Sequence, residues 1–367
     1  MEINFNTWHV AFVQDCNLKC TYCATGFGSF GDTKGLMKKA VWQRLGQLMI
    51  DYSKPGEVLQ IQFGVGETFL YFEKWLAFIR YIDRLAEKNK VSVNLQIATN
   101  GTTLDSQKLM LLADRNASLN FSIDGPEYLH NRHRKTTMGQ NSFKLAMKNW
   151  QLYKKMPQKP ACNVQSVFTN ESSLSDIVKF WADQKQPVFS CVIQLPSRFT
   201  EEDSYEAWNI RQHAYLDDFR TLAFSLAHQL RIPTFLSNYK GPEELFVMWI
   251  KRFLETEANH CGPGESTISV DIEGNLYPCE TFIGVGDKCI GNVFDGINES
   301  RLSLFRHERR QAIARCQNCP EKMFCPKNCL GRDPFLSLDE NFESGCWFAK
   351  ELTKIASESY IILSSDK

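Results

Sequence analysis

Neither sign of charge dominates the 367-residue chain: Lys and Arg total 42, and so do Asp and Glu. Without a net field nothing draws nucleic acid or an anionic membrane surface from a distance, so a partner must be recognised at a local site. No apolar run approaches the roughly 18 residues that a spanning helix needs. The start, Met1 to Trp8, has neither the basic region nor the apolar stretch of a secretory signal. These absences predict a cytoplasmic protein with no membrane or nucleic-acid partner. Low-complexity tracts are missing too, and no internal repeat stands out beyond an alternation of strand and helix patterns. In a reducing compartment disulfides are disfavoured, so the 13 cysteines read as metal sites.

Between residues 9 and 230 the hydrophobic period switches repeatedly from two to 3.6, the signature of strand-helix units. His9 to Gln14 is a short apolar run. Leu59, Ile61 and Phe63 alternate, as do Val91, Val93, Leu95 and Ile97, and then Leu119, Phe121 and Ile123. Further strands are predicted near Asn163 to Phe168 and Val188 to Leu195. Val41, Leu45, Leu48 and Met49 form a helical stripe, as do Trp75, Ile79 and Ile82. Six such units predict an α/β fold, a partial (β/α)6 TIM-like barrel, with its loops gathered at the carboxyl ends of the strands. Tyr205 to Leu230 reads as a long helix. Composition then shifts toward Gly, Pro and Cys near Ala258, and the chain is divided into 1-235, the barrel, and 236-367, a linker, a small cysteine-rich domain and a C-terminal helix.

Cys16, Cys20 and Cys23 stand in the loop after the first strand with a C-x3-C-x2-C spacing. Three thiolates from one compact loop leave a fourth iron of a 4Fe-4S cluster open to another ligand. Zinc with a distant fourth ligand is the competing reading. This spacing, with Tyr22 before the third cysteine, resembles the radical S-adenosylmethionine superfamily. That resemblance implies a cluster that binds S-adenosylmethionine and cleaves it to a 5'-deoxyadenosyl radical, which abstracts a substrate hydrogen. Phe63-Gly64-Val65-Gly66-Glu67-Thr68 is similar to the family's Gly-Gly-Glu motif, with Val65 where glycine is usual, and implies that Gly66 and Glu67 engage the methionine amino group. Asn100 and Ser122 resemble residues lining the rest of that pocket. Asp124 to Arg134, with His130, looks like a stretch of anaerobic sulfatase-maturing enzymes, and Arg134 reads either as pairing a carboxylate or as a solvated arginine after a loop.

A second set follows one string: Cys261, Gly274, Cys279, Cys316, Cys319, Cys325, Cys329 and Cys346. It resembles the SPASM domain, which holds two auxiliary 4Fe-4S clusters. By that resemblance Cys316, Cys319, Cys325 and Cys346 serve an outer cluster, and Cys261, Cys279 and Cys329 an inner one. The inner cluster then has either an open iron or a fourth ligand from Cys289, for which the turn at Gly291 would provide flexibility. Cys162 and Cys191 read as small buried hydrophobes. Glu280, directly after Cys279, matches an aspartate read in relatives as the acceptor of the substrate proton; a plain surface glutamate is the alternative.

The resemblance therefore implies three 4Fe-4S clusters, S-adenosylmethionine, an electron donor such as flavodoxin or ferredoxin, and a peptide or protein substrate. The leading expectation is a maturase that installs a crosslink or other change in a ribosomally made peptide. Its alternative is an anaerobic sulfatase maturase that forms formylglycine from Cys or Ser. A non-catalytic metal-binding protein is the reading from another class. Because the first strand pattern begins so early, leader-peptide recognition is expected from a separate protein, or from the barrel mouth itself.

Overall fold

The computed structural model describes residues 5–30, 34–186, 190–194, 205–229, 262–319 and 338–365. Its strands are β1 (Thr7–Val10), β2 (Val13–Gln14), β3 (Gly35–Leu36), β4 (Val58–Phe63), β5 (Ser92–Thr99), β6 (Ser118–Ser122), β7 (Ala161–Phe168), β8 (Ser190–Ile193), β9 (Thr267–Val270), β10 (Asn275–Tyr277), β11 (Gly291–Asn292) and β12 (Gly296–Ile297). The helices are α1 (Lys39–Asp51), α2 (Phe72–Lys88), α3 (Ser106–Asp114), α4 (Glu127–His133), α5 (Phe143–Lys155), α6 (Leu174–Asp183), α7 (Tyr205–Gln229), α8 (Glu299–Ala314) and α9 (Leu338–Ser365).

β1, β4, β5, β6, β7 and β8 lie side by side and parallel, the six barrel strands expected from the alternation. Their apolar residues face the helices: Phe63 meets Trp75 at 5.8 Å and Phe121 meets Trp150 at 5.4 Å, both edge to face. Trp8, Leu59, Ile61, Leu95, Ile97, Leu119 and Val164 complete this buried layer. The stripes predicted on α1 and α2 face it, with Val41, Leu45, Leu48 and Met49, and Trp75, Ile79 and Ile82, all buried.

The opposite face of the same strands is polar. Asn94 donates to Gln60 at 2.8 Å, Asn120 to Gln165 at 2.6 Å, and Asn163 to Asn120 at 3.2 Å and to Ser190 at 3.0 Å. A closed barrel of this class fills its interior with branched apolar side chains. Here amides line it instead, which leaves the interior suited to a polar ligand.

The sheet does not stop at β1. β9 pairs with β1 in parallel, Thr7 opposite Thr267 and Val10 opposite Val270, and β10, β11 and β12 follow antiparallel. The cysteine-rich region is thus joined to the barrel through one ten-stranded sheet. The boundary placed near residue 235 lies outside the described residues. Gly274, part of the cysteine string, makes the β9–β10 turn at φ +88°, where a Cβ would stand 2.6 Å from Val293.

Candidate functional site

The loops after β4, β5 and β6 follow the carboxyl ends of parallel strands and so share one rim, while the cysteine loop follows β2, which pairs antiparallel with β3, and is tied to that rim where Glu67 N–H donates to Asp15 O. The cysteine loop is braced from the side by the segment after α4. Lys19 N–H donates to Lys135 O at 2.7 Å, Thr21 N–H to His133 O at 3.1 Å, and Thr137 N–H to Asn17 O at 3.1 Å. Within it, Leu18 N–H points at Cys16 Sγ at 3.4 Å and Phe27 N–H at Cys23 Sγ at 3.1 Å, and Asn100 Nδ2 approaches Cys16 Sγ at 3.8 Å. Donors aimed at sulfur favour thiolate over thiol. Burial acts the other way and pushes the Cys16 and Cys20 thiols up to about 12, where each also lies in the field of the other loop cysteines. Desolvated thiols surrounded by N–H donors are suited to ligating iron as thiolates. Among the described residues no three His, Cys, Asp or Glu side chains form a cage for a single ion. Three thiols of one loop, with N–H donors aimed at the sulfurs of Cys16 and Cys23, are a donor set that fits a three-cysteine cluster loop.

Gly66 fastens the second loop to the first. At φ +63°, its missing Cβ would lie 2.4 Å from Asp15 O and 2.5 Å from Val13 O, so only glycine fits. Val65, the departure from the glycine pattern, is buried in a small apolar cluster with Ala11, Phe30, Tyr277, Phe282, Ile283 and Phe305. The larger side chain is thus accommodated by packing toward the cysteine-rich region. Glu67 is fully buried. Its carboxylate accepts from Asn100 N–H at 2.8 Å, Thr99 Oγ1 at 2.9 Å and Phe69 N–H at 3.3 Å, and its own N–H donates to Asp15 O at 2.9 Å. Burial raises its pKa against the pull of those donors. Glu67 therefore ties the loops after β4 and β5 together. Asn100 stands against the cysteine loop, and Ser122 closes β6 on the polar face, opposite Gln165.

Tyr22 and Arg134 meet at Asp124, a fully buried residue whose role the sequence did not reveal. Tyr22 OH donates to Asp124 Oδ2, Arg134 Nε to both Asp124 oxygens at 3.0 and 3.1 Å, and Val167 N–H to Oδ1 at 3.2 Å. The Arg134 guanidinium also lies over the Tyr22 ring, 5.3 Å from its centroid. Arg134 is accordingly buried and paired, not solvated. His130 supports this corner through Ser142 at 3.0 Å, and burial lowers its pKa to about 4.

On the far side of the rim, Cys279, Cys289, Cys316 and Cys346 all pack against the same small apolar cluster as Val65. Cys319 N–H donates to Cys316 O at 3.3 Å. Cys261, Cys325 and Cys329 lie outside the described residues. Cys289 Sγ is 3.3 Å from Gly291 O. The flexibility expected of Gly291 is not what the structure uses: it is locked in the β11–β12 pair, where a Cβ would stand 2.2 Å from Gly296 O. Cys162 and Cys191 pack against the main core.

Glu280 lies over the glycine loop: a Cβ on Gly64 would be 3.3 Å from its Oε2. Burial opposes its ionisation, but the hydrogen bond and charge of His9, at 3.1 Å, outweigh this and hold the carboxyl below the usual range. Neither His9 nor the amide-lined face was singled out from sequence. The signal for the latter was present in the regular polar positions Gln60, Gln62, Asn94, Gln96, Asn120, Asn163 and Gln165 between the apolar ones.

A model of the radical SAM superfamily matches residues 10–180. A cysteine-type anaerobic sulfatase-maturating enzyme of Clostridium perfringens is 24% identical over 297 residues, covering 76% of this chain and 75% of the relative. Among solved structures, native anSMEcpe with bound AdoMet superposes with a TM-score of 0.78 at 19% identity, covering 98% of this chain and 100% of the other. Streptococcus suis SuiB bound to precursor peptide SuiA reaches 0.53 at 15% identity, over 89% and 72%. The structural likenesses show the fold, a partial barrel of parallel strands followed by a further region that here is cysteine-rich. Among the described residues no helix is long and apolar enough to cross a membrane.

Proposed function

We propose that the chain, whose residues 10–180 match the radical SAM superfamily model, oxidises a side chain of a peptide or protein by removing an unactivated hydrogen. The observation that carries this reading is the position of Glu280: it comes from the cysteine-rich region yet stands over Gly64, beside the loop of Gly66 and Glu67. When bound at Cys16, Cys20 and Cys23, the cluster with S-adenosylmethionine would supply the hydrogen-abstracting radical. Gly66, Glu67, Asn100 and Ser122 shape the pocket edge, Tyr22 and Arg134 hold the cysteine loop on Asp124, and Glu280 takes the proton that leaves the substrate. Cys261, Cys279, Cys329 and Cys289 are proposed for the inner auxiliary cluster, and Cys316, Cys319, Cys325 and Cys346 for the outer one.

Within this class, the relation to a cysteine-type sulfatase maturase along three quarters of both chains supports formation of formylglycine from Cys or Ser. Val65 and Glu280 depart from the pattern of those enzymes, and these departures favour the second reading, a crosslink in a ribosomally made peptide. Anaerobically reconstituted protein, which should hold about 12 iron atoms per chain, is to be incubated with S-adenosylmethionine, a reductant and a peptide carrying one central cysteine. Mass spectrometry with an aldehyde-reactive hydrazide then separates the products. Loss of sulfur with hydrazide labelling supports formylglycine, whereas loss of two hydrogens without labelling supports a crosslink. No 5'-deoxyadenosine under any condition would reject both and favour a non-catalytic iron-sulfur or zinc protein.

A further inference from the structure

His9 and Glu280 are 271 positions apart, and the pairing of β1 with β9 brings them together. His9 Nδ1 lies 3.1 Å from Glu280 Oε2. A carboxylate only accepts, so Nδ1 carries the proton and donates it, which fixes the ring's tautomer and orientation. The His9 side chain is only 18% exposed. On the polar face of the sheet it stands level with Gln62 of β4 and Ser269 of β9. Gly64 sets the second boundary of the carboxylate, since even a methyl group there would press on it at 3.3 Å. Glu280 is therefore held between a donor and a strip of bare backbone.

We propose that His9 is a positioning residue for Glu280: its Nδ1–H fixes the carboxylate over Gly64, where the barrel rim meets the cysteine-rich region. An unrestrained glutamate samples several rotamers, each directing its oxygens elsewhere. A proton acceptor displaced by about 1 Å loses up to about a hundredfold in rate. The role rests on the reading of Glu280 as the acceptor of the substrate proton. It differs from a purely structural role because only the fate of the substrate, and not S-adenosylmethionine cleavage, depends on it.

The test compares the reconstituted holoenzyme with His9→Leu, His9→Asn and Glu280→Gln, using the single-cysteine peptide as probe. Two quantities are read: the ratio of modified peptide to 5'-deoxyadenosine, and the Glu280 position in anaerobic crystal structures. His9→Leu is expected to lower the ratio about tenfold or more with unchanged 5'-deoxyadenosine, and to release Glu280 from Gly64. His9→Asn retains an N–H donor and is expected to restore both. Unchanged Glu280 placement in His9→Leu, an unchanged ratio, or equal damage in His9→Asn would overturn the proposal. If Glu280→Gln modifies the peptide as well as wild type does, or if wild type forms 5'-deoxyadenosine without modifying it, the reading of Glu280 fails. The crystal structures of the two His9 variants still decide whether His9 positions it.

Discussion

At the scale of single residues, the rim depends on two buried carboxylates with opposite kinds of partner. Glu67 accepts from backbone N–H groups and hydroxyls, whereas Asp124 faces a guanidinium and a phenol. Asp124→Ala would leave Arg134 buried and unpaired, and removing one member of such a pair costs about 3–5 kcal/mol. Anaerobic urea unfolding should show that loss, while Asp124→Asn should retain part of it; equal stability to wild type would contradict the hub assigned to Asp124. Replacing Cys16, Cys20 and Cys23 together by Ala should abolish 5'-deoxyadenosine formation yet leave iron bound through the second cysteine set. Continued cleavage in that variant would refute the cluster loop. The cysteine spacing, Glu67 and Asn100 were legible because each sits in a short local motif. Asp124 stood inside a recognised stretch, but its partners come from residues 22, 134 and 167, and His9 acquires meaning only beside Glu280. Spacing along the chain does not encode such meetings.

Among the elements, α4 is short yet sensitive to pH. Burial depresses both of its histidines, His130 to about 4 and His133 in the same direction. Unfolded histidine titrates near about 6.5. As pH falls from there toward 4, the unfolded chain takes up protons that the folded one refuses, so stability is full above the unfolded value and declines below it, by at most about 1.4 kcal/mol per pH unit for each group. His130→Gln should flatten this slope in urea midpoints measured at successive pH values; a parallel slope would show that the ring is not held neutral. The barrel strands themselves were legible, since apolar residues at every second position mark the helix-facing side and need only local counting. The pairing of β9 with β1 was not. It joins segments that share no local signal, and short strands such as β11 and β12 have too few residues to show a period.

At the scale of the whole molecule, one ten-stranded sheet runs through the described parts of both the barrel and the cysteine-rich region, so the two are expected to unfold as one unit. A chain cut after residue 235 would bare the edge of β1 and the apolar cluster around Val65. Such an edge is a template for aggregation. The truncated chain should therefore fail to accumulate as a soluble monomer, measured by size-exclusion chromatography under anaerobic conditions. A stable monomeric fragment with native helix content would show instead that the barrel stands alone.

The same pairing sets a clock during synthesis. Val10 leaves the ribosome early, and its neighbour Val270 follows 260 residues later. At about 5–20 residues per second, that delay is roughly 13 to 52 s. Once Val58–Phe63 has followed, β1 can gain its β4 neighbour but not yet β9, and Glu280 has not been translated. The nascent barrel thus passes through a stage in which its cysteine loop is already made while the β9 flank of β1 stands open, an unpaired edge that neighbouring chains can meet before the native strand arrives.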